Sequence, residues 1–204
     1  DAAGHAAAAS QSNNTATLDG TGPTMTVTAA EGADGFTSND ATLALTFTSS
    51  EATTAFAEED ITVTNGALSD FAATSATVYT ATFTPTADGA ATIDVAASTF
   101  TDAAGNNNTA ASQFNWTYDN TAPTISSVSL ASTNSTIAVT MSEAVYTTTD
   151  ASTALVVGDF SLSISGGTAT LSSATPSSIS ISGNVYTLGI SLSATPLPNG
   201  DETL

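Results

Sequence analysis

Lysine, arginine and cysteine are all missing from this chain of 204 residues, which carries 19 Asp and Glu, a single His and a formal net charge of −19 at pH 7. Without cationic side chains nothing releases counterions from a phosphate backbone, so nucleic acid is excluded as a partner. An anionic membrane surface repels such a chain. Walker-type and Schiff-base lysines are ruled out, and so are Lys–Asn isopeptide crosslinks. The absence of Cys removes disulfide staples and thiolate metal sites. Long apolar runs are missing too: no stretch approaches the roughly 18 residues of a membrane-spanning helix. No signal peptide opens the chain, so a secreted protein would carry its signal outside this segment.

Thr (40) and Ser (27) make up about a third of the chain. Thr is β-branched and suits strands, while Ser, Gly and Asn suit turns. A hydrophobic fraction of 41% is too high for a purely disordered acidic tail. The chain also repeats itself. Asp1-Ala2-Ala3-Gly4 returns as Asp102-Ala103-Ala104-Gly105, and Asp19-Gly20-Thr21-Gly22-Pro23-Thr24 as Asp119-Asn120-Thr121-Ala122-Pro123-Thr124, offsets of 101 and 100 residues. Weaker matches keep the same order. Ser50-Glu51-Ala52 pairs with Ser142-Glu143-Ala144, Asp60 with Asp159, Tyr79 with Tyr186, and Asp88-Gly89 with Asn199-Gly200. A period near a hundred residues is the size of an immunoglobulin-like sandwich.

Between these landmarks apolar residues alternate with polar ones, as in strands with one buried face. Examples are Leu43, Leu45, Phe47; Phe114, Trp116, Tyr118; Ile137, Val139, Met141; Phe160, Leu162, Ile164; and Tyr186, Leu188, Ile190, Leu192. Asn65-Gly66, Asp88-Gly89, Gly166-Gly167, Gly183-Asn184 and Asn199-Gly200 read as the turns between them. No helical periodicity of useful length appears. The expected fold is all-β, with tandem immunoglobulin-like antiparallel β-sandwiches. Residues 19–118 form the first module and 119–204 a second that lacks its final strand. Residues 1–18 match the closing segment of the first module. They read as the closing strand of a preceding repeat or as a donor strand to a neighbouring copy, which makes other copies of the chain, head-to-tail, the expected partners.

The Asp-x-Thr-x-Pro-Thr segments at 19–24 and 119–124, Ser-Glu-Ala at 50–52 and 142–144, the Asp60 and Asp159 strand starts and the Asp-Ala-Ala-Gly turns together resemble the bacterial Ig-like domain repeats of very large surface and secreted proteins, giant adhesins among them. The resemblance covers essentially the whole chain and lies in the order and spacing of short motifs. It implies extracellular β-sandwich spacers, some of which bind calcium at module junctions.

Catalysis finds little support. His5 stands alone and reads as a surface residue, and Glu58-Glu59-Asp60 lies in a polar loop where neighbouring side chains diverge. Calcium is the candidate ligand, since it takes six to eight oxygens from carboxylates, Asn side chains and carbonyls. Asp19 and Asp119 stand where one module gives way to the next, Glu51 and Glu143 at matching strand ends, and Asp102 at the turn before the closing strand. The plainer role for Asp19 and Asp119 is an Asx-turn ahead of Thr-x-Pro. Asn-x-Ser/Thr occurs at Asn13, Asn107, Asn115 and Asn134, and outward Thr and Ser hydroxyls offer O-linked positions; Thr also simply suits a solvated strand face. Trp116 reads as a core anchor rather than a sugar platform. The expected role is that of a structural repeat in an extracellular filament or cell-surface stalk. The other role open to it is an adhesive module that binds glycan or another cell.

Overall fold

The computed structural model describes residues 18–53, 55–148, 152–195, 198 and 200–204. The chain divides into two compact units between Asp119 and Asn120. Residues 1–17, with the sequon at Asn13 and the expected closing or donor strand, lie outside the described residues.

The first unit is a two-sheet sandwich. One sheet runs β1 (Met25–Ala29), β3 (Leu43–Ser49), β6 (Val78–Pro85), β5 (Gly66–Ala73), and the other β2 (Phe36–Ser38), β8 (Phe114–Tyr118), β7 (Gly89–Val95), β4 (Ile61–Thr64). In immunoglobulin lettering these are the ABED and GFC sheets, with β2 added beside the closing strand. Strict alternation builds the core: Leu43, Leu45 and Phe47 are buried along β3, and Tyr79, Ala81 and Phe83 oppose them on β6. Trp116 on β8 is 1% exposed and packs on Phe36, Phe83 and Tyr118, with ring centroids 5.4–6.0 Å apart. It is a core anchor, and its indole N–H donates to Ser38 Oγ at 3.1 Å. One pair departs from the expected antiparallel pattern: β2 runs parallel to β8, Phe36 beside Trp116. The chain from β1 crosses to the opposite sheet before returning to β3, and that crossing sets the strand direction.

The second unit repeats the first sheet strand for strand. β9 (Ile125–Leu130), β10 (Thr136–Met141), β12 (Val185–Gly189) and β11 (Ile179–Ser182) take the order of β1, β3, β6 and β5. Side-chain registers agree as well. Leu130 faces Ile137 as Ala29 faces Leu45, and Leu188 faces Ile137 as Ala81 faces Leu45.

The opposing layer differs from expectation. Phe160–Ile164 forms no ladder: Phe160 N–H bonds to Val157 O at 3.3 Å, Leu162 N–H to Ala174 O at 2.8 Å, and the Ser165–Thr203 bridge follows the segment. In the first unit the matching β4 pairs with β7, and β7 with β8; among the described residues no strand of the second unit takes the β8 place. The expected run Tyr186–Leu192 leaves its sheet at Gly189; beyond it Ile190 N–H bonds to Ser135 O at 2.8 Å and Leu192 bridges Leu171.

Three side-chain anchors recur at the repeat landmarks. Ser50 Oγ accepts from Thr24 N–H at 3.0 Å, and Ser142 Oγ from Thr124 N–H at 2.9 Å. Asp60 Oδ2 accepts from Ala57 N–H across a 3-10 turn, and Asp159 Oδ2 from Val156 N–H across another. Tyr79 donates its hydroxyl to Thr53 O at 2.8 Å, and Tyr186 to Val145 O at 3.0 Å. Each fixes a loop whose backbone groups the sheets leave unpaired.

Candidate cation site

Four segments of the first unit converge at one end of the sandwich. The chain entering β1 is pinned to the end of β3 by the Thr24–Ser50 pair, whose second bond runs from Ser50 N–H to Thr24 O at 2.9 Å. It is pinned to the loop before β8 by Thr109 N–H, which donates to Pro23 O at 3.0 Å. Gly22 permits that approach, because a Cβ there would collide with the Asn107 carbonyl. The turn at Asp102 is held in its place by a bridge to Thr53, whose hydroxyl donates to Thr101 O at 2.9 Å.

These ties bring carboxylate oxygens of Asp19, Glu51 and Asp102 within 4.8 Å of one another. Calcium binds oxygen at about 2.3–2.6 Å, so two ligands on opposite sides of one ion stand roughly 5 Å apart, and the cluster fits that span. Asp102 is 7% exposed, Glu51 half-buried and Asp19 exposed. Partial burial, and then the charges of Asp19 and Asp102, push the Glu51 carboxyl above its ordinary value. Asp102 is held below the usual aspartate value, chiefly by the Asn106 side chain and then by turn amides, against the opposing effect of burial. Asn106 donates its backbone N–H to Asp102 Oδ1 and its side-chain amide to Oδ2, both at 2.8 Å. The same amide reaches the carbonyls of Asp19 and Thr21 at 3.3 and 3.4 Å.

Three of the five carboxylates named from sequence therefore meet. Asp19 also makes the plainer Asx-turn foreseen for it, its Oδ1 accepting from Thr21 N–H at 3.1 Å. Asp119 and Glu143 are not in the cluster; the Asp119 N–H bonds to Ser38 O. Sequence reading passed over Asn106, whose only signal is a run of three Asn after a turn glycine.

The sequons separate by environment. Asn107 and Asn134 are exposed, Asn134 in a turn with φ of 55°. Asn115 is half-buried on β8, its amide committed to Asp34 Oδ1 at 3.0 Å and Gln113 O at 3.3 Å. The Asn115 backbone N–H, donating to Asp34 Oδ1 at 2.7 Å, and then its side-chain amide hold the Asp34 carboxyl below its usual value.

Residues 19–118 match the family model of a bacterial Ig-like domain. No curated protein sequence matches the chain. Among solved structures, the adhesin InvE of Yersinia pseudotuberculosis is similar at 18% identity and a TM-score of 0.30, over 83% of this chain and 51% of that one. The chain thus spans about half the length of that adhesin.

Proposed function

We propose that the chain is a structural repeat of an extracellular filament or cell-surface stalk, whose copies follow one another head-to-tail through strand complementation or covalent tandem repetition. The observation that carries this reading is the duplicated anchor framework. The Thr–Ser, Asp-turn and Tyr–carbonyl contacts of the first unit return at matching positions of the second. A module copied with its loop anchors intact serves length and stiffness, and residues 19–118 match the model of a domain-sized bacterial Ig-like unit. An acidic, cation-free surface suits an exterior where salt screens it.

Calcium would hold Asp19, Glu51 and Asp102, clamping the entry segment, the end of β3 and the β8 loop together. Glycans would take Asn107 and Asn134 ahead of Asn115, whose amide must first give up two hydrogen bonds. Electron microscopy of native material tests the reading. Regular filaments or stalks of serial Ig-sized beads are expected, and isolated compact particles would overturn it. Mass spectrometry of peptides spanning Asn107 and Asn134 tests the sugars: whole hexose-type increments above the bare peptide masses are expected, and bare masses would remove them.

A further inference from the structure

The first unit is entered and left at opposite ends. The entry segment lies against the loop ahead of β8, where Thr109 N–H donates to Pro23 O, and Asp119 follows the far end of β8. Tension applied through residues 19 and 119 therefore runs along the strands. Among the described residues, β1 on the entry side pairs with β3 alone, whereas β2 pairs with β8. β2 thus joins the two loaded stretches of chain directly.

The direction of that pair decides how it carries load. β2 and β8 run parallel, Phe36 beside Trp116 and Ser38 beside Tyr118. Pulling β2 by its amino-terminal end and β8 by its carboxy-terminal end slides one strand along the other. The evenly spaced bonds of a parallel pair then stretch together, whereas strands peeled from one end lose their bonds singly. Backbone bonds close the ladder at both ends, Gly35 N–H to Asn115 O at 2.8 Å and Asp119 N–H to Ser38 O at 3.0 Å.

Three residues make a short strand, and side chains reinforce it. Asp34 Oδ1 accepts from the Asn115 backbone N–H at 2.7 Å and from its side-chain amide at 3.0 Å. Bonds to an ionised carboxylate are about twice as strong as neutral ones. At the other end the Trp116 indole N–H donates to Ser38 Oγ at 3.1 Å, and the Ser38 hydroxyl donates to Asp40 Oδ2 at 2.7 Å. Between them Phe36 stacks on Trp116 with ring centroids 6.0 Å apart. Each end of β2 is therefore tied to β8 by a side chain as well as by the backbone.

We propose that β2 is a load-bearing latch, the contact that keeps the first unit closed when its neighbours in a stalk pull on it. The inference rests on the stalk reading for the source of the load. β1 slides off β3 first, and the unit then stays shut until β2 leaves β8. Asp34 and Ser38 are the side chains that set how long that takes.

Magnetic tweezers holding the full chain by its two ends test the latch, with denaturant midpoints measured in parallel. The first unit is the one whose rupture releases the longer stretch of chain. Forced unfolding reads the unfolding rate, which equilibrium stability alone does not fix. Asp34→Ala should raise the rupture rate of the first unit at constant force about tenfold, equivalent to about 1.4 kcal/mol of barrier. Asp34→Asn keeps an acceptor at Oδ1 and should restore most of the resistance, while Ser38→Ala should act as Asp34→Ala does. Thr64→Ala removes the hydroxyl pair of Thr64 and Thr92 between β4 and β7 of the same sheet. Whatever it does to the denaturant midpoint, it should leave the rupture rate near the parent value. Equal effects of latch and control variants on rupture, or none from either, would overturn the proposal. Serial beads in the microscope with rupture indifferent to Asp34 would sink the latch and leave the stalk standing. Isolated compact particles whose rupture still follows Asp34 would sink the stalk reading alone.

Discussion

Ser49 ends β3 with a hydroxyl that is 4% exposed as a residue and has no hydrogen-bond partner among the described residues. A buried polar atom left unpaired costs about 1–3 kcal/mol. Ser49→Ala should therefore raise the stability of the first unit by roughly 1 kcal/mol, read as a higher denaturant midpoint at unchanged slope; a loss of stability would reveal a partner. The two shifted carboxyls of the cluster act in opposite directions with pH. Glu51, raised in the folded state, contributes stability that is full below its ordinary value and is lost as pH rises through the raised one. Asp102, lowered, contributes stability that is present above the ordinary aspartate value and is lost as pH falls through its own. Glu51→Gln should thus raise the melting temperature near neutral pH without calcium and abolish most of the rise calcium brings. Calcium acts on the ionised carboxylate, so in the parent its effect should grow as pH rises through the Glu51 value. Melts with calcium and with chelator, at several pH values, check both; identical pairs at every pH would remove the ion.

Among elements, β8 and β9 mark the contrast between the units. β8 inserts Phe114 and Trp116 between two sheets, and Trp116→Ala should cost the first unit about 3–5 kcal/mol. β9 is exposed at every residue, Ile125, Val128 and Leu130 included. Little buried apolar contact means low local stability. Calorimetry of the unassembled chain should show two transitions, the second unit melting first, with amides of β9 and β11 exchanging faster than those of β3 and β6. A single cooperative transition would contradict that ranking. Trp116→Ala should move only the higher transition.

For the whole molecule charge is the governing quantity. Copies that each carry −19 repel one another, and ions screen that repulsion over about 10 Å at 0.1 M salt. Association should therefore strengthen with rising sodium chloride, the reverse of contacts between opposite charges. Light scattering across an ionic-strength series would show it, and assembly that dissolves in salt would mean that another interaction holds the copies together.

Composition and periodicity alone settled the all-β class, most strand faces and the order of the landmarks. Alternation puts one face of β3, β6 or β8 into a core whatever lies opposite, and a repeated motif implies a repeated fold. Asp19, Glu51 and Asp102 could be named from the sequence because each opens or closes a recognisable segment. That they meet, while Asp119 and Glu143 do not join them, was decided by tertiary ties: Thr24 on Ser50, Pro23 on Thr109, Thr53 on Asp102. Likewise Phe160, Leu162 and Ile164 have the alternation of β4 but form no ladder, because a strand needs a neighbour as well as a pattern. Period two states which side chains share a face; it does not state which of them another layer covers, and only the packed structure shows Ile137 and Leu188 buried while Val128 and Leu130 stay exposed.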